Sequence, residues 1–474
     1  MKLFFANSNL SKLWYSLALI IVLVPTYFIH SQKYPDWGDD FAQYVYQAQQ
    51  IHSPTEPYKE VLNVSEYSSP KRSVFFSVIL SVVTPTLHIQ NYVDLISFTY
   101  IFAGLVIFLF LSHHFTLSIS FVGTLALCYN FLFLRLKSEV VPEFIFIALF
   151  YGVLYLAYQN KTWIKYVIPI LLGLLVSVRF VGLALLLSYL CFIFLQKDNT
   201  KNKLKLTGIT VLVFGLTIGV INGFFLSAIH NQEVTLYSNI VKNRFTPFYI
   251  FENAAAYARY VLFFFEQEIP FWMNTVITCF ALLFFMIGFL ATVIKQRNIL
   301  HFTFVFYALF LIAYPSLTDI IKYLIPIIPL LFYFMIMGLK NALEIIKFKQ
   351  QNIVIVLCLS VLFLSNTKTV WLQYHRLNAD VLPYSENVLL DFEKIKQTVK
   401  PTENIAFGKP FIINLLADRN AYFLSNKNYQ QVFNQADYVL SPKKTIKELF
   451  PKIEGIKISK GDTMELTNFY LIKL

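Results

Sequence analysis

Residues 13–30 read Leu13-Trp-Tyr-Ser-Leu-Ala-Leu-Ile-Ile-Val-Leu-Val-Pro-Thr-Tyr-Phe-Ile-His30, and residues 34–44 follow as Tyr34-Pro-Asp36-Trp-Gly-Asp39-Asp40-Phe-Ala-Gln-Tyr44. The first stretch is apolar for the length a helix needs to cross about 30 Å of hydrocarbon at about 1.5 Å per residue. Lys2 and Lys12 precede it, and Tyr34-Pro-Asp-Trp37 is not a small-residue cleavage site. It therefore reads as a retained first membrane helix with its N-terminus in the cytoplasm, not as a signal peptide. The second stretch places three acids just outside that helix.

The rest of the chain repeats the first motif. Of 474 residues, 57% are hydrophobic, 18% aromatic and only 14% charged, and the mean hydropathy is +0.58. Soluble domains carry about 25% charged residues, so most of this surface does not meet water. Further apolar runs span roughly 93–112, 115–134, 142–159, 163–178, 180–196, 206–226, 270–294, 301–317, 320–339 and 352–368. With 13–30 they predict about eleven transmembrane helices. The stretch 73–87 is short, contains Pro85, and reads as an interfacial or re-entrant helix.

The formal charge of +12 would suggest nucleic acid in a soluble protein. Here the lysines sit in short loops, which they assign to the cytoplasm: Lys161 and Lys165; Lys197, Lys201, Lys203 and Lys205; Lys295 and Arg297; Lys340, Lys347 and Lys349. The longer connections 31–92 and 227–269, and everything after about 369, then face outward. The four cysteines, Cys128, Cys191, Cys279 and Cys358, lie in apolar runs without metal spacing and read as small buried residues.

Two outer segments, 40–52 and 251–266, have helical apolar spacing (Phe41, Tyr44, Val45, Ala48 and Ile51 in the first) and suggest amphipathic helices on the membrane surface. After 369 the composition turns polar. Helices are predicted at 387–399, 411–416 and 445–450, and strands at 404–407, 438–440, 456–458 and 469–472. The fold class is thus a polytopic α-helical membrane protein with a small C-terminal α/β soluble domain. The domains are 1–368, including the outer loops 31–92 and 227–269, and 369–474.

Ionisable residues at the outer level are the candidates for chemistry. Asp39 and Asp40 suit the start of the following helix as cap and first-turn acid. One of them also suits a general base, with its neighbour raising its pKa or helping to bind a cation. In Arg135-Leu-Lys137-Ser138-Glu139-Val-Val-Pro142-Glu143 the two glutamates are four apart and share a helix face if Pro142 opens the helix. Arg135 and Lys137 suit interfacial snorkelling. Arg72, Arg179 and Lys322-Tyr323 are isolated cationic positions on the same side. Each could be a topological anchor, but together with the acids they suggest an anionic lipid head group held at the interface.

These residues resemble the GT-C glycosyltransferases, the superfamily of the bacterial aminoarabinose transferases and protein O-mannosyltransferases. Asp40 to Tyr44 resembles the acid and aromatic of its first outer loop, with Asp39-Asp40 in place of the usual Asp-Glu pair. Pro70-Lys-Arg72, Ser138-Glu139, Arg179-Phe-Val-Gly182 and Lys322-Tyr323-Leu-Ile-Pro326 resemble later motifs in order. Phe407-Gly-Lys-Pro410 and Asp418-Arg419 resemble parts of its soluble domain. The resemblance implies an inverting transfer of a sugar from a polyprenyl phosphate to an extracytoplasmic lipid, glycan or protein. Asp40 or Asp39 would be the base. Arg72, Arg179 and Lys322, with Tyr323, would hold the donor phosphate. Tyr44, Glu143 and Arg419 would hold or orient the acceptor. Glu139 would orient the acceptor or bind a divalent metal, which some relatives use; no other cofactor is implied.

Three other classes compete, one of them a sensor or assembly protein whose soluble domain does the work and whose membrane acids would tolerate substitution. A lipid flippase or transporter predicts inverted repeats and polar groups at mid-membrane; no such duplication is visible and the acids lie at one interface. A polysaccharide polymerase or ligase would depend on an arginine instead of the aspartates.

Overall fold

The computed structural model describes residues 8–29, 39–52, 61–62, 74–83, 89–137, 139–159, 161, 163–225, 247–264, 271–295, 297–313, 320–376, 386–425, 428–443 and 463–474. These form two compact units.

The first unit is helical: α1 (Ser8–Leu23), most of α4 (Ile89–His114), α5 (Leu117–Cys128), α6 (Phe131–Lys137), α7 (Glu143–Ala157), α8 (Ile164–Val178), α9 (Leu183–Leu195), α10 (Thr200–Phe225), α11 (Pro247–Phe264), α12 (Phe271–Lys295), α13 (Ile299–Ala313), α14 (Ile320–Leu324), α15 (Ile328–Ile345) and α16 (Gln351–Arg376). Among the described residues, six helical stretches are long and apolar enough to cross a membrane. The predicted span 115–134 is instead a pair, α5 and α6, bent by 62°. Asn130 makes the corner: its side-chain oxygen accepts from the Leu132 amide at 2.9 Å, opening a new helix where the old one ends. Four more predicted spans are apolar helices of 10–17 residues: Glu143–Ala157, Ile164–Val178, Phe180–Leu195 and Ile299–Ala313. By length and composition alone, six or seven described elements qualify as spans, against the eleven expected.

Helix α16 runs on to Arg376, past the predicted boundary at 368. No helix breaker intervenes between Lys368 and Arg376.

Helices α12 and α15 pack closely because both carry glycine at the crossing. A Cβ on Gly288 would overlap the Phe334 carbonyl oxygen, and one on Gly338 the Phe284 carbonyl oxygen. Small residues let helix backbones meet where no hydrophobic effect drives association.

The second unit joins α2 (Asp39–His52), β1 (Val61–Leu62) and α3 (Val74–Val83) to the C-terminal residues. The sequence pattern groups these outer elements with the membrane part. Strand β1 pairs in parallel with β3 (Ala421–Phe423), matching Val61 to Ala421, a non-local pairing that no local pattern reveals. The sheet order is β1-β3-β2-β4-β6-β5, with β2 at Ile405–Phe407, β4 at Tyr438–Pro442, β5 at Thr463–Glu465 and β6 at Phe469–Lys473. β1, β3, β2 and β4 are parallel, and β6 and β5 close the edge antiparallel. Ala406, Val432, Phe433, Ala436, Val439 and Ile472 form a core on this sheet. The expected α/β character is present. The predicted strand 456–458 and helix 445–450 lie outside the described residues.

α2 is not the surface helix its apolar spacing suggested. Residues Phe41 to Ala48 are all buried, including Gln43 and Gln47. The Tyr44 ring packs edge-on against Phe76 of α3, centroids 4.8 Å apart, and Ser77 donates to Gln47 Oε1 at 3.0 Å. α2 also packs against the turn Pro410–Ala417. α3 has ten residues, about 15 Å of helix, too short to cross a bilayer.

Two side chains hold the C-terminal elements in place. Asp391, on helix α17 (Glu386–Thr398), is fully buried. It accepts from the amides of Thr467 and Asn468 at 2.8 and 2.7 Å, fixing the β5–β6 turn. Arg419 donates to the carbonyls of Lys396, Val399, Ala417 and Asp418, capping the end of α17.

Replacing Asp391 by Ala removes the acceptor of two part-buried turn amides and costs about 2 kcal/mol. The expected result is earlier proteolytic cleavage in the C-terminal unit on heating. Gly338→Ala forces α12 and α15 apart at a cost of about 3 kcal/mol or more, read as a lower melting temperature in detergent.

Candidate functional site

The site in the helical unit is built where helices stop. After the α5–α6 corner the chain passes Lys137 and Glu139 and reaches α7, with Pro142 at its N-cap and Glu143 in its first turn. Glu139 thus lies before the helix, not on a shared face with Glu143. Pro142 has no amide hydrogen to continue the ladder, so the two glutamates diverge to different partners.

α8 ends at Arg179, whose backbone is extended (φ −152°, ψ 131°), and a turn at Phe180–Gly182 leads into α9. Gly182 permits this turn: a Cβ there would lie 3.1 Å from the Val176 nitrogen and 3.2 Å from the Leu175 carbonyl carbon. Near the start of α15 the helix is broken again. Lys322 and Tyr323 lie on the short α14, and Pro326 and Pro329 interrupt the turns beyond it. Carbonyls exposed by this break accept tyrosine hydroxyls from other helices. Tyr307 donates to the Tyr323 carbonyl at 2.8 Å and Tyr151 to the Pro326 carbonyl at 2.9 Å.

These breaks bring five predicted residues together. Arg179 Nη2 pairs with Glu143 Oε1, and their side chains are 9% and 0% exposed. The same guanidinium lies over the Tyr323 ring, 4.8 Å from its centroid, which adds cation–π attraction in a desolvated place. The neighbouring Lys322 Nζ lies 3.6 Å from Glu139 Oε2. Arginine suits the first pair because its planar fork can pair with a carboxylate and stack on a ring together. Buried charges this close to hydrocarbon are costly unless paired.

The other predicted residues fall elsewhere. Asp39 and Asp40 are the first two residues of α2; their side chains lie outside the described residues, as does Arg72. Tyr44 is packed in the α2–α3 core. Arg419 donates to backbone carbonyls and so caps the end of α17.

Two residues emerge that spacing did not single out for a role. Lys137 reads from sequence as snorkelling, yet it is 1% exposed and its Nζ makes no hydrogen bond among the described residues. A buried ammonium of this kind is the group most in need of an anion. The only sequence signal was its place beside Glu139. Asp94, in α4, accepts from Tyr27 Oη at 2.5 Å, and its position inside an apolar run was the available clue.

No group of three or more His, Cys, Asp or Glu side chains among the described residues is placed to hold a metal. Glu139 and Glu143 face cations, which offset the charge a dication would need. The described donor set does not fit a metal at Glu139.

Removing one partner of the Glu143–Arg179 pair strands the other charge, at about 3–5 kcal/mol. Arg179→Met is expected to lower the melting temperature sharply. The double variant Glu143→Leu/Arg179→Met is expected to recover most of that loss, since no unpaired charge remains. Equal melting temperatures for the single variant and the native protein would contradict this description.

No family model matches the chain, and no curated protein matches it in sequence. Solved structures do. The oligosaccharyltransferase of Archaeoglobus fulgidus, in complex with Zn and sulfate, superposes with a TM-score of 0.57 at 10% identity, covering 92% of this chain and 69% of that one. ArnT from Cupriavidus metallidurans bound to undecaprenyl phosphate gives 0.55 at 11% identity, covering 96% of this chain and 97% of that one; in its apo state the TM-score is 0.56. Both are GT-C superfamily members, and the fold of this multi-pass membrane chain is therefore the GT-C fold.

Proposed function

We propose that this protein is a membrane glycosyltransferase that moves a sugar from a polyprenyl-phosphate donor to an extracytoplasmic lipid, glycan or protein. The observation that carries the reading is the buried Arg179–Glu143 pair, with Tyr323, Lys322 and Glu139 beside it. A lipid phosphate gains negative charge as it leaves. Cations already ordered in a water-poor site stabilise that charge without reorganising. The likeness in fold to ArnT, whose structure holds undecaprenyl phosphate, supports the same donor class.

In this mechanism the acceptor O–H loses its proton to the carboxylate of Asp40 or Asp39. The oxygen bonds to the anomeric carbon as the bond from that carbon to the phosphate oxygen breaks. The sugar inverts and the lipid phosphate departs. Arg179, Lys322 and Arg72 are the cations expected to receive it, with Tyr323 positioning Arg179. Lys137 joins them because a phosphate would supply the anion its buried ammonium requires. Glu143 positions Arg179, and Glu139 positions Lys322 or the acceptor. The topology follows the basic loops: N-terminus in the cytoplasm, C-terminal unit outside the plasma membrane.

A general base contributes about 10²–10⁴-fold to rate. In membranes containing equal amounts of each protein, Asp40→Asn or Asp39→Asn is expected to lower transfer of labelled sugar from a polyprenyl-phosphate donor by that factor, the larger loss marking the base. Full transfer by both variants would exclude the mechanism. Lys137→Met is expected to raise the KM for donor about tenfold, the effect of losing one charge-assisted contact worth about 1.4 kcal/mol. Mass spectrometry of envelope glycans with and without the gene would then identify the sugar by its disappearance.

A further inference from the structure

At the opposite end of the same helices lies a second basic feature that the transfer reaction does not use. α7 has fifteen residues between Glu143 and Ala157, about 22 Å of helix. Where α7, α8 and α9 meet the connections at that far end, a cavity of about 610 Å³ opens. Lys161, Lys165, Lys197 and Arg297 line it, and Ile168 and Phe192 contribute to its apolar wall. Among the described residues its lining contains no carboxylate. The neighbouring Asp198 accepts from the Asn199 amide at 2.8 Å and Asn202 Nδ2 at 2.9 Å, and its charge also acts on Lys165, leaving the cavity with a net excess of cations.

Basic loops set topology wherever they stand along the chain. That requirement does not explain why Lys165 at the start of α8 and three cations from three separate connections converge on one concavity. Nor does it explain why the concavity is walled by the flanks of the apolar helices α7, α8 and α9. Cations on the connections and helix start beside an apolar wall match the two halves of an anionic phospholipid: a phosphate at the loop level and acyl chain along the helices. A free anion would use the cations and leave the apolar wall exposed to water.

We propose that this cavity binds the phosphate head group of an anionic phospholipid, at the membrane face opposite the Glu143–Arg179 cluster. The ligand chemistry is a phosphate ester, and the apolar wall assigns it to a lipid. The site stands independently of the glycosyltransferase reading.

The test uses the full-length protein in phosphatidylcholine nanodiscs doped with photoreactive phosphatidylglycerol, with crosslinked peptides mapped by mass spectrometry. Crosslinks are expected within 156–168 and 189–206, at least fivefold above those from photoreactive phosphatidylcholine. The variant Lys165→Gln/Arg297→Gln is expected to bring that ratio near one. Equal labelling by the two lipids in the native protein, labelling confined to other segments, or an unchanged ratio in a folded variant would overturn the proposal. Should the variant not fold, the native-protein labelling decides alone. A parallel arm adds 10-fold excess inorganic phosphate over the lipid: persistence of the crosslinks is expected, and their loss would reassign the cavity to a free anion.

Discussion

A backbone crossing hydrocarbon has no water to satisfy its N–H and C=O groups, so it must bond to itself or to protein. In this chain that constraint makes helices wherever the sequence is uninterrupted, and every interruption needs substitute partners. The substitutes are visible. The Tyr100 hydroxyl bonds to the carbonyl of Cys128, and Asn366 donates to that of Ala126 at 2.7 Å, both at the end of α5. Tyr307 and Tyr151 serve the broken start of α15. At the end of α5 and the start of α15, another helix brings the donor that the stop requires.

Those stops put polar chemistry at one end of the bundle. Arg179 is buried because α8 ends there in an extended residue. Tyr323 can lie beneath its guanidinium because two prolines prevent α14 and α15 from merging into one regular helix. Glu143 reaches Arg179 from the first turn of α7, the helix that begins after Pro142. The charged cluster and the helix breaks are one feature: the same residues that interrupt the hydrogen-bond ladder orient the side chains.

In the second unit, buried polar groups again fix geometry. Asp391 satisfies two amides of the β5–β6 turn and Arg419 the carbonyls at the end of α17. Asp418 sits in the left-handed region at φ 53°, a conformation Asp tolerates better than most residues, which turns the chain so that Arg419 reaches those carbonyls. An arginine that looked like a ligand-binding residue is thus used in folding. The cost of leaving four carbonyls unpaired is sufficient reason for it.

Local pattern along the chain suffices to show that it enters a membrane many times, that its end is an α/β unit, and that Glu139, Glu143, Arg179, Lys322 and Tyr323 belong to one level. Each of those follows from composition, apolar run length and the position of breakers. Other features come from packing between distant segments. α2 has the apolar spacing of a surface helix, and only its packing against α3 and the 410–417 turn shows it buried. Val61-Leu62 is too short to signal a strand, and its partner lies 360 residues away. Lys137 and Arg419 look alike as isolated cations, yet one has no hydrogen bond among the described residues and the other is bonded to four carbonyls. Burial and pairing depend on what other segments bring to a residue, and periodicity along a chain carries no record of them.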